Sequence, residues 1–266
     1  MIYLRQVMLP EDRPDCWPYT IPAFRGLEKL EFAPVTLLAG DNGTGKSTLL
    51  EALAVKLALP AVGRTDAARD ETLAALRPLA RSMTLTFERR PVCKFFLRSE
   101  DFFNFTLGLQ KEREEMRREL KRVDEEYAGR SEFAKGQARM AFAGTIGDME
   151  SRYGRDLLES ASHGESFLRL FQERLVPNGL YLMDEPEAPL SPMRQLALHS
   201  MVKELCEKDN CQFVIATHSP ILLSIEGAAV YDLDQSPPAR VPWEDLPGVR
   251  LMKGFMSSPK SYTGRL

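Results

Sequence analysis

An α/β fold built on a mostly parallel sheet flanked by helices is what this sequence predicts, and three observations predict it. Short apolar, partly β-branched runs recur at Val35-Thr36-Leu37-Leu38-Ala39, Leu180-Tyr181-Leu182-Met183 and Phe213-Val214-Ile215-Ala216. Each has the length and composition of a strand buried on both faces. Helical periodicity lies between them: Leu49, Leu50, Leu53 and Leu57 recur at helical spacing before Pro60, and residues 192 to 207 carry the apolar period of an amphipathic helix. Strand, helix, strand implies parallel neighbours. The third observation is a glycine-rich octapeptide, Gly40-Asp41-Asn42-Gly43-Thr44-Gly45-Lys46-Ser47, set between the first of these strands and the first helix.

In chain order, Pro10, Pro14, Pro18 and Pro22 punctuate the start, which therefore reads as an irregular arm holding loops or short edge strands and no long helix. Met83 to Phe87 and Val92 to Leu97 are two β-like runs around Arg89-Arg90-Pro91, and they predict a hairpin or a pair of adjacent strands. Residues 110 to 139 carry nine Lys/Arg against eight Asp/Glu. Glu114 with Arg118, and Lys121 with Glu125, stand one helical turn apart, so the run reads as a solvated helix and its balance of charge gives no reason to make it a nucleic-acid arm. No heptad pattern is sustained long enough for a long coiled coil.

The 266 residues, 44% hydrophobic and 27% charged, fit an ordinary globular chain. No apolar run approaches the roughly 20 residues of a membrane helix, and Met1-Ile2-Tyr3-Leu4-Arg5 lacks the apolar stretch of a secretion signal. The expectation is a cytoplasmic protein without direct membrane insertion. Cysteines at 16, 93, 206 and 211 form no CxxC pair and there are only three histidines, so buried or free thiols are expected and no zinc cluster or disulfide framework. The net charge of −3 gives no global pull toward nucleic acid; residues 250 to 266 hold Arg250, Lys253, Lys260 and Arg265 and no acid, a short basic tail that is more often solvated than engaged with phosphates.

The octapeptide matches GxxxxGK[ST]. Backbone N–H groups of such a loop, backed by a helix N-terminus, converge on a β-phosphate, while Lys46 neutralises charge and Ser47 ligates Mg²⁺. The binding segment is expected to run from Asp41 through Asn42, Gly43, Thr44, Gly45, Lys46 and Ser47 to Thr48. Leu180 to Met183 then ends in Asp184-Glu185. By itself an acidic strand end is weak, since many strands run into acidic loops, but downstream of a P-loop it reads as a Walker B element: Asp184 toward Mg²⁺, Glu185 toward the attacking water. His218 follows the next strand, at the edge where open α/β sheets collect ligands, and is a candidate γ-phosphate contact. Ser162-His163-Gly164-Glu165-Ser166 precedes Phe167, Leu168, Phe171 and Leu175. Ser162 with Glu165 is a capping box, and a capped helix N-terminus with glycine in its first turn is also an anion site.

The order P-loop, Ser-His-Gly-Glu-Ser, Asp184-Glu185, His218 resembles the ABC-type ATPase head domain over residues 28 to 225. More closely, the chain is similar to small stand-alone ABC/AAA-type ATPases without a transport domain, relatives of chromosome-maintenance, DNA-repair and phage-defence heads. The matching stretches are Phe95 to Asn104, Ser162 to Phe167, Asp184 to Pro192 and Ala216 to Pro220. The resemblance implies a P-loop NTPase fold of ABC type, with an antiparallel β part, in a single domain over 1–266 that includes a helical signature insertion at 100–160 and a C-terminal extension at 236–266. It further implies ATP and Mg²⁺ as cofactors, hydrolysis of ATP to ADP and phosphate, and an ATP-gated homodimer. In that dimer Ser162, His163, Gly164 and Glu165 act in trans, Ser47 and Asp184 share the metal, and Glu185 and His218 are catalytic. Ser162, Gly164 and Glu165 match the signature's serine, second glycine and final polar residue, while His163 replaces its usual glycine. The usual early-loop glutamine is not obvious; Glu100 is the candidate substitute and a further metal candidate. The loop after Glu187, Ala188-Pro189-Leu190-Ser191, lacks the usual aspartate.

Three functions follow, in descending order of fit. The first is an ATP-driven switch or motor on a macromolecular partner, with DNA, RNA or a nucleic-acid-processing protein as candidates. The second is the nucleotide-binding subunit of a transporter whose membrane part is a separate chain. The third, a small-molecule or nucleoside kinase, leaves the signature helix and His218 unused.

Overall fold

The computed structural model describes residues 1–60, 66–127, 129–153, 168, 171–172 and 174–263. They form two units, one of Met1–Ser99 with Arg174–Leu266 and one of Glu100–Glu173. In the first, nine strands make two sheets: β1 (Leu4–Met8), β2 (Lys29–Glu31), β3 (Val35–Ala39), β4 (Thr84–Phe87), β5 (Cys93–Arg98), β6 (Gly179–Asp184), β7 (Gln212–Ala216), β8 (Ala229–Asp232) and β9 (Ala239–Arg240). The larger sheet has the order β5-β6-β7-β3-β8-β9. Its first five strands are parallel and β9 closes it antiparallel. The three apolar runs became β3, β6 and β7, and every residue of β3 and β7 is buried, as a parallel sheet covered on both faces requires.

Register decides where the chemistry emerges. Arg98 pairs with Asp184, Asp184 with Ala216, and Ala216 with Leu38, so four strands end level. The next residues along each chain, Ser99, Glu185, Thr217 and the Ala39-Gly40 step, therefore leave the sheet along one edge. This carboxyl edge is where ligands bind in open α/β sheets.

Helix α1 (Lys46–Leu57) runs from that edge and packs against β6 and β7. Leu49, Leu50, Ala52, Leu53 and Ala54 are fully buried, so this helix is enclosed on most sides from its second turn onward. It stops at Leu57, with Ala58 in the left-handed conformation at φ 48° and its N–H returned to Ala54 and Val55. A short helix, α2 (Arg77–Ser82), packs against it.

The smaller sheet is antiparallel, β2-β1-β4. Two expectations change here. The proline-marked start does hold loops from Leu9 to Ile21, but β1 is the central strand of its sheet and not an edge. The runs around Arg89-Arg90-Pro91 are not a hairpin: β4 pairs with β1, whereas β5 pairs with β6 in the other sheet. Both are edge strands, but their burial differs: β5 is buried from Phe95 through Arg98, whereas β4 keeps partly exposed residues throughout. The two sheets are joined by Gln212, a fully buried side chain on β7. Its Oε1 accepts from the Tyr3 and Leu4 N–H groups, each at 2.8 Å, and its Nε2 donates to Leu4 O at 2.8 Å and Ala33 O at 3.0 Å. All four hydrogen-bonding positions of the amide are used, which is what makes its burial tolerable.

In the second unit the charged run forms two helices and not one, α3 (Ser99–Glu126) and α4 (Glu132–Tyr153). Glu114 and Arg118 pair at 3.8 Å as spaced, and Asp124 of α3 meets Lys135 and Arg139 of α4 at 3.6 and 3.4 Å. A turn bonded Arg130 N–H to Tyr127 O, with the Arg130 guanidinium over the Tyr127 ring, separates them. Alternating charge carries no signal for such a break, because both helices expose it equally.

Downstream, α5 (Pro192–Lys208) precedes β7, α6 (Pro220–Leu223) follows it, and α7 (Pro247–Ser257) and α8 (Pro259–Thr263) end the described chain. Arg250 of the basic tail is paired with Asp245 at 2.5 Å. No helix among the described residues is long and apolar enough to cross a membrane. All four cysteines are free, and burial pushes the Cys206 thiol up to about 12.

Candidate functional site

The octapeptide forms a loop with Gly40, Gly43 and Gly45 at φ +143°, +81° and +107°, a conformation that side-chain-bearing residues rarely adopt. Asp41, Asn42 and Gly43 are exposed, whereas Thr44, Gly45 and Lys46 are buried and Ser47 and Thr48 half-buried in the first turn of α1. The loop is tied internally: Asn42 N–H donates to Asp41 Oδ1 at 2.7 Å, and the Thr44 hydroxyl donates to Asp41 O at 3.0 Å. From outside, Asp234 Oδ1 accepts the Asp41 N–H at 2.8 Å, and Thr44 O accepts the Ala23 N–H at 3.1 Å. Lys46 sends its ammonium along the loop, donating to Gly40 O at 2.9 Å and Asp41 O at 2.8 Å. Burial lowers its pKa, and the surrounding carboxylates Glu185, Asp234, Asp184 and Asp41 oppose that shift.

Across from the loop, at the end of β6, Asp184 Oδ1 accepts from the Ser47 hydroxyl at 3.1 Å. These two hard oxygens suit Mg²⁺, which keeps several waters and takes only one or two protein oxygens when phosphates supply the rest. No group of three or more His, Cys, Asp or Glu is placed to hold a metal among the described residues. Burial pushes the Asp184 carboxyl from 3.8 up to about 7; the Ser47 hydrogen bond and Lys46 pull it down, and Glu51 and Glu185 push it up.

That shift has a sign that can be checked. Between about pH 4 and 7 the folded chain holds a proton on Asp184 that the unfolded chain has released, so this group's contribution to stability falls as pH rises through that window and is level above it. Asp184→Asn is neutral throughout. In buffer free of metal and nucleotide its Tm, relative to wild type, is expected to be several degrees higher at pH 8 than at pH 5; an offset that stays constant between those pH values would rule the shift out.

Glu185 follows Asp184 with φ +48°, a left-handed conformation uncommon for a residue with a side chain. Its N–H donates to Ala216 O at 2.9 Å, and its carbonyl accepts from the Ala188 N–H at 3.0 Å and from the Ser99 hydroxyl. This turn brings the carboxylate to 3.6 Å from His218 Nε2. Asp184, Glu185, His218, Ser47 and Lys46 thus converge at the carboxyl edge. A cavity of about 350 Å³ meets this group at His218 and is lined by Gly40, Asp41, Thr217, Asp234 and the α7 residue Val249 as well.

Ser162, His163, Gly164 and Glu165 lie outside the described residues. Glu100 is exposed in the first turn of α3, in the second unit. Three residues that sequence reasoning did not single out support the site: Ser99 holds the Glu185 carbonyl, Asp234 holds the start of the loop, and Glu187 contacts the segment around His218. Asp234 had a readable signal, since Val230-Tyr231 leads into Asp232-Leu233-Asp234, another apolar strand with an acidic end.

A loop of this conformation between a parallel strand and its helix, facing an acidic strand end, in a mostly parallel sheet with a small antiparallel one beside it, is a P-loop α/β fold. Residues 21–127 match the model of an AAA domain. No curated protein matches. Among solved structures, the SMC head domain from Thermotoga maritima aligns at 14% identity, covering 91% of this chain and 99% of that one, with a TM-score of 0.40. A putative metal-chelate type ABC transporter in an inward-facing conformation aligns at 14% identity over 97% and 90%, TM-score 0.46. A dimeric ATP-binding cassette bound to ADP and phosphate aligns at 16% identity over 90% and 98%, TM-score 0.43.

Proposed function

We propose that the protein binds and hydrolyses ATP with Mg²⁺ and works as an ATP-gated homodimeric switch or motor on a macromolecular partner in nucleic-acid maintenance, DNA repair or phage defence. One observation carries the catalytic part: the Ser47 hydroxyl meets Asp184 at 3.1 Å while Glu185 and His218 stand 3.6 Å apart at the same edge. A metal-binding pair and a water-polarising pair therefore flank the end of one phosphate-binding loop.

In this reading the N–H groups of residues 43 to 48 and the Lys46 ammonium hold the phosphates. Ser47 and Asp184 would hold Mg²⁺, which would supply neutralisation of the phosphate charge. Glu185 orients and polarises the attacking water, and His218 contacts the γ-phosphate. Residues 100–160 are the helical signature insertion and 236–266 a C-terminal extension of one ATPase domain, and Ser162, His163, Gly164 and Glu165 complete the site of a second copy. Loop residues Asp41 to Gly43 are exposed, which leaves the outer side of the cradle open to such a copy.

The purified chain is expected to release phosphate from ATP in Mg²⁺ and to stop when the metal is chelated; no release at any protein concentration would overturn the hydrolytic reading. Turnover measured with and without DNA tests the partner: stimulation that weakens with rising salt supports nucleic acid, and absence of both stimulation and salt-dependent binding removes it.

A further inference from the structure

Glu187 is two residues past the proposed water-polarising carboxylate, and its own carboxylate faces the segment that carries His218. Oε1 accepts three hydrogen bonds: from the Thr217 hydroxyl at 2.7 Å, from the His218 N–H at 2.7 Å and from the Ser219 N–H at 3.2 Å, the last shared with Thr217 Oγ1 at 3.0 Å. A second route joins the same two segments, for the Ser219 hydroxyl donates to Gln195 Oε1 at 2.6 Å and Gln195 Nε2 donates to Leu190 O at 3.0 Å. The loop after β6 also folds on itself, with Ala188 N–H on Glu185 O and Leu190 N–H on Glu187 O. Backbone N–H groups that leave a sheet edge need partners, and a carboxylate accepting several of them makes strong, charge-assisted bonds.

We infer that Glu187 is a positioning residue that braces the His218 segment against the Glu185 turn and so sets the 3.6 Å spacing of the two catalytic side chains. The inference rests on the hydrolytic reading above for its consequence, but the brace itself is a property of the fold. Its geometry explains why the carboxylate must have glutamate's reach. Oε1 alone makes the three bonds, so an amide oxygen in the same place can make them too, whereas a side chain one methylene shorter cannot meet all three donors. Oε2 is buried with no hydrogen-bond donor among the described residues, so the carboxylate's hold on the His218 segment rests on Oε1.

Three variants separate this from a charge or a merely structural role: Glu187→Gln, Glu187→Asp and Glu187→Ala. Hydrogen exchange of the His218 amide, followed by NMR on the whole chain, is expected to be slow in wild type and Glu187→Gln and at least about tenfold faster in Glu187→Asp and Glu187→Ala. Steady-state turnover is expected to follow the same grouping, with kcat reduced at least about tenfold in the aspartate and alanine variants and KM for ATP within about threefold, because misplacing a catalytic group acts on the transition state and not on ground-state binding. Should Glu187→Ala fail to fold, the aspartate and glutamine pair carries the test. Unchanged amide exchange in Glu187→Asp, or a glutamine variant as slow in turnover as the aspartate one, overturns the brace. A wild type without ATPase activity overturns the hydrolytic reading instead, and the exchange comparison still decides whether Glu187 holds the His218 segment.

Discussion

Glu185→Gln is expected to slow phosphate release by at least about 10²-fold while leaving ATP affinity at or above the wild-type value, because a positioned general base contributes on that order to catalysis and little to binding. The local structure supports a clean substitution. Glu185 is held by its backbone, through N–H to Ala216 O and through its carbonyl to Ser99 and Ala188, so the amide replaces the carboxylate without releasing the turn. Electrostatics sharpen the expectation. Glu185 is one of the charges that keep the Asp184 carboxyl near 7, so removing it favours the ionised Asp184 that a divalent metal needs. Metal-nucleotide binding is therefore maintained or strengthened as turnover is lost, and an ATP-bound dimer should accumulate, visible by size-exclusion chromatography with light scattering in ATP and Mg²⁺ and absent in ADP. Turnover at the wild-type rate would exclude Glu185 as the catalytic carboxylate. Loss of turnover with a monomer in ATP would keep the chemistry and remove the gated dimer.

What could be read from the sequence, and what could not, divides along the range of the interactions. β3, β6 and β7 were legible because a strand covered on both faces must be largely apolar, and that demand is local. The loop was legible because left-handed backbone at 40, 43 and 45 needs glycine and the chemistry needs Lys46 and Ser47 at fixed spacing. The partners of β4 and β5 were not, since two strands adjacent in sequence went to different sheets and only non-local pairing distinguishes them. Gln212 gave no sign either: its four hydrogen bonds run to Tyr3, Leu4 and Ala33, about 180 to 210 residues away. Glu187 fell within the stretch Asp184 to Pro192, but its work depends on the register that sets β6 and β7 level, a fact of the fold and not of the motif.

Gly45→Ala is expected to be the most damaging single-methyl change in the loop, and Gly43→Ala a much milder one. Both glycines have positive φ, +107° and +81°, and an L-residue forced there costs on the order of 1–3 kcal/mol. Their surroundings differ. A Cβ on Gly43 meets nothing within 4 Å, whereas on Gly45 it would lie 2.6 Å from Ile21 Cγ2 and 3.0 Å from Ala23 Cβ. Neither neighbour is the end of a flexible chain. Ile21 branches at Cβ, and the Ala23 methyl moves only with its backbone, which is bonded to the loop through Ala23 N–H and Thr44 O at 3.1 Å. Relief therefore displaces Thr44 and, with it, the start of α1, whose first residues are Lys46 and Ser47. Overpacking adds roughly 1–3 kcal/mol to the backbone strain, and the displaced loop loses the convergence of its N–H groups. Gly45→Ala is thus expected to lower the Tm by several degrees and to weaken ATP binding, read by calorimetry, by at least about 10²-fold, since positioning at this scale is worth that much. Gly43→Ala should lose stability from strain alone. Equal binding losses in the two variants would show that backbone conformation, and not the contact with Ile21 and Ala23, governs the cradle.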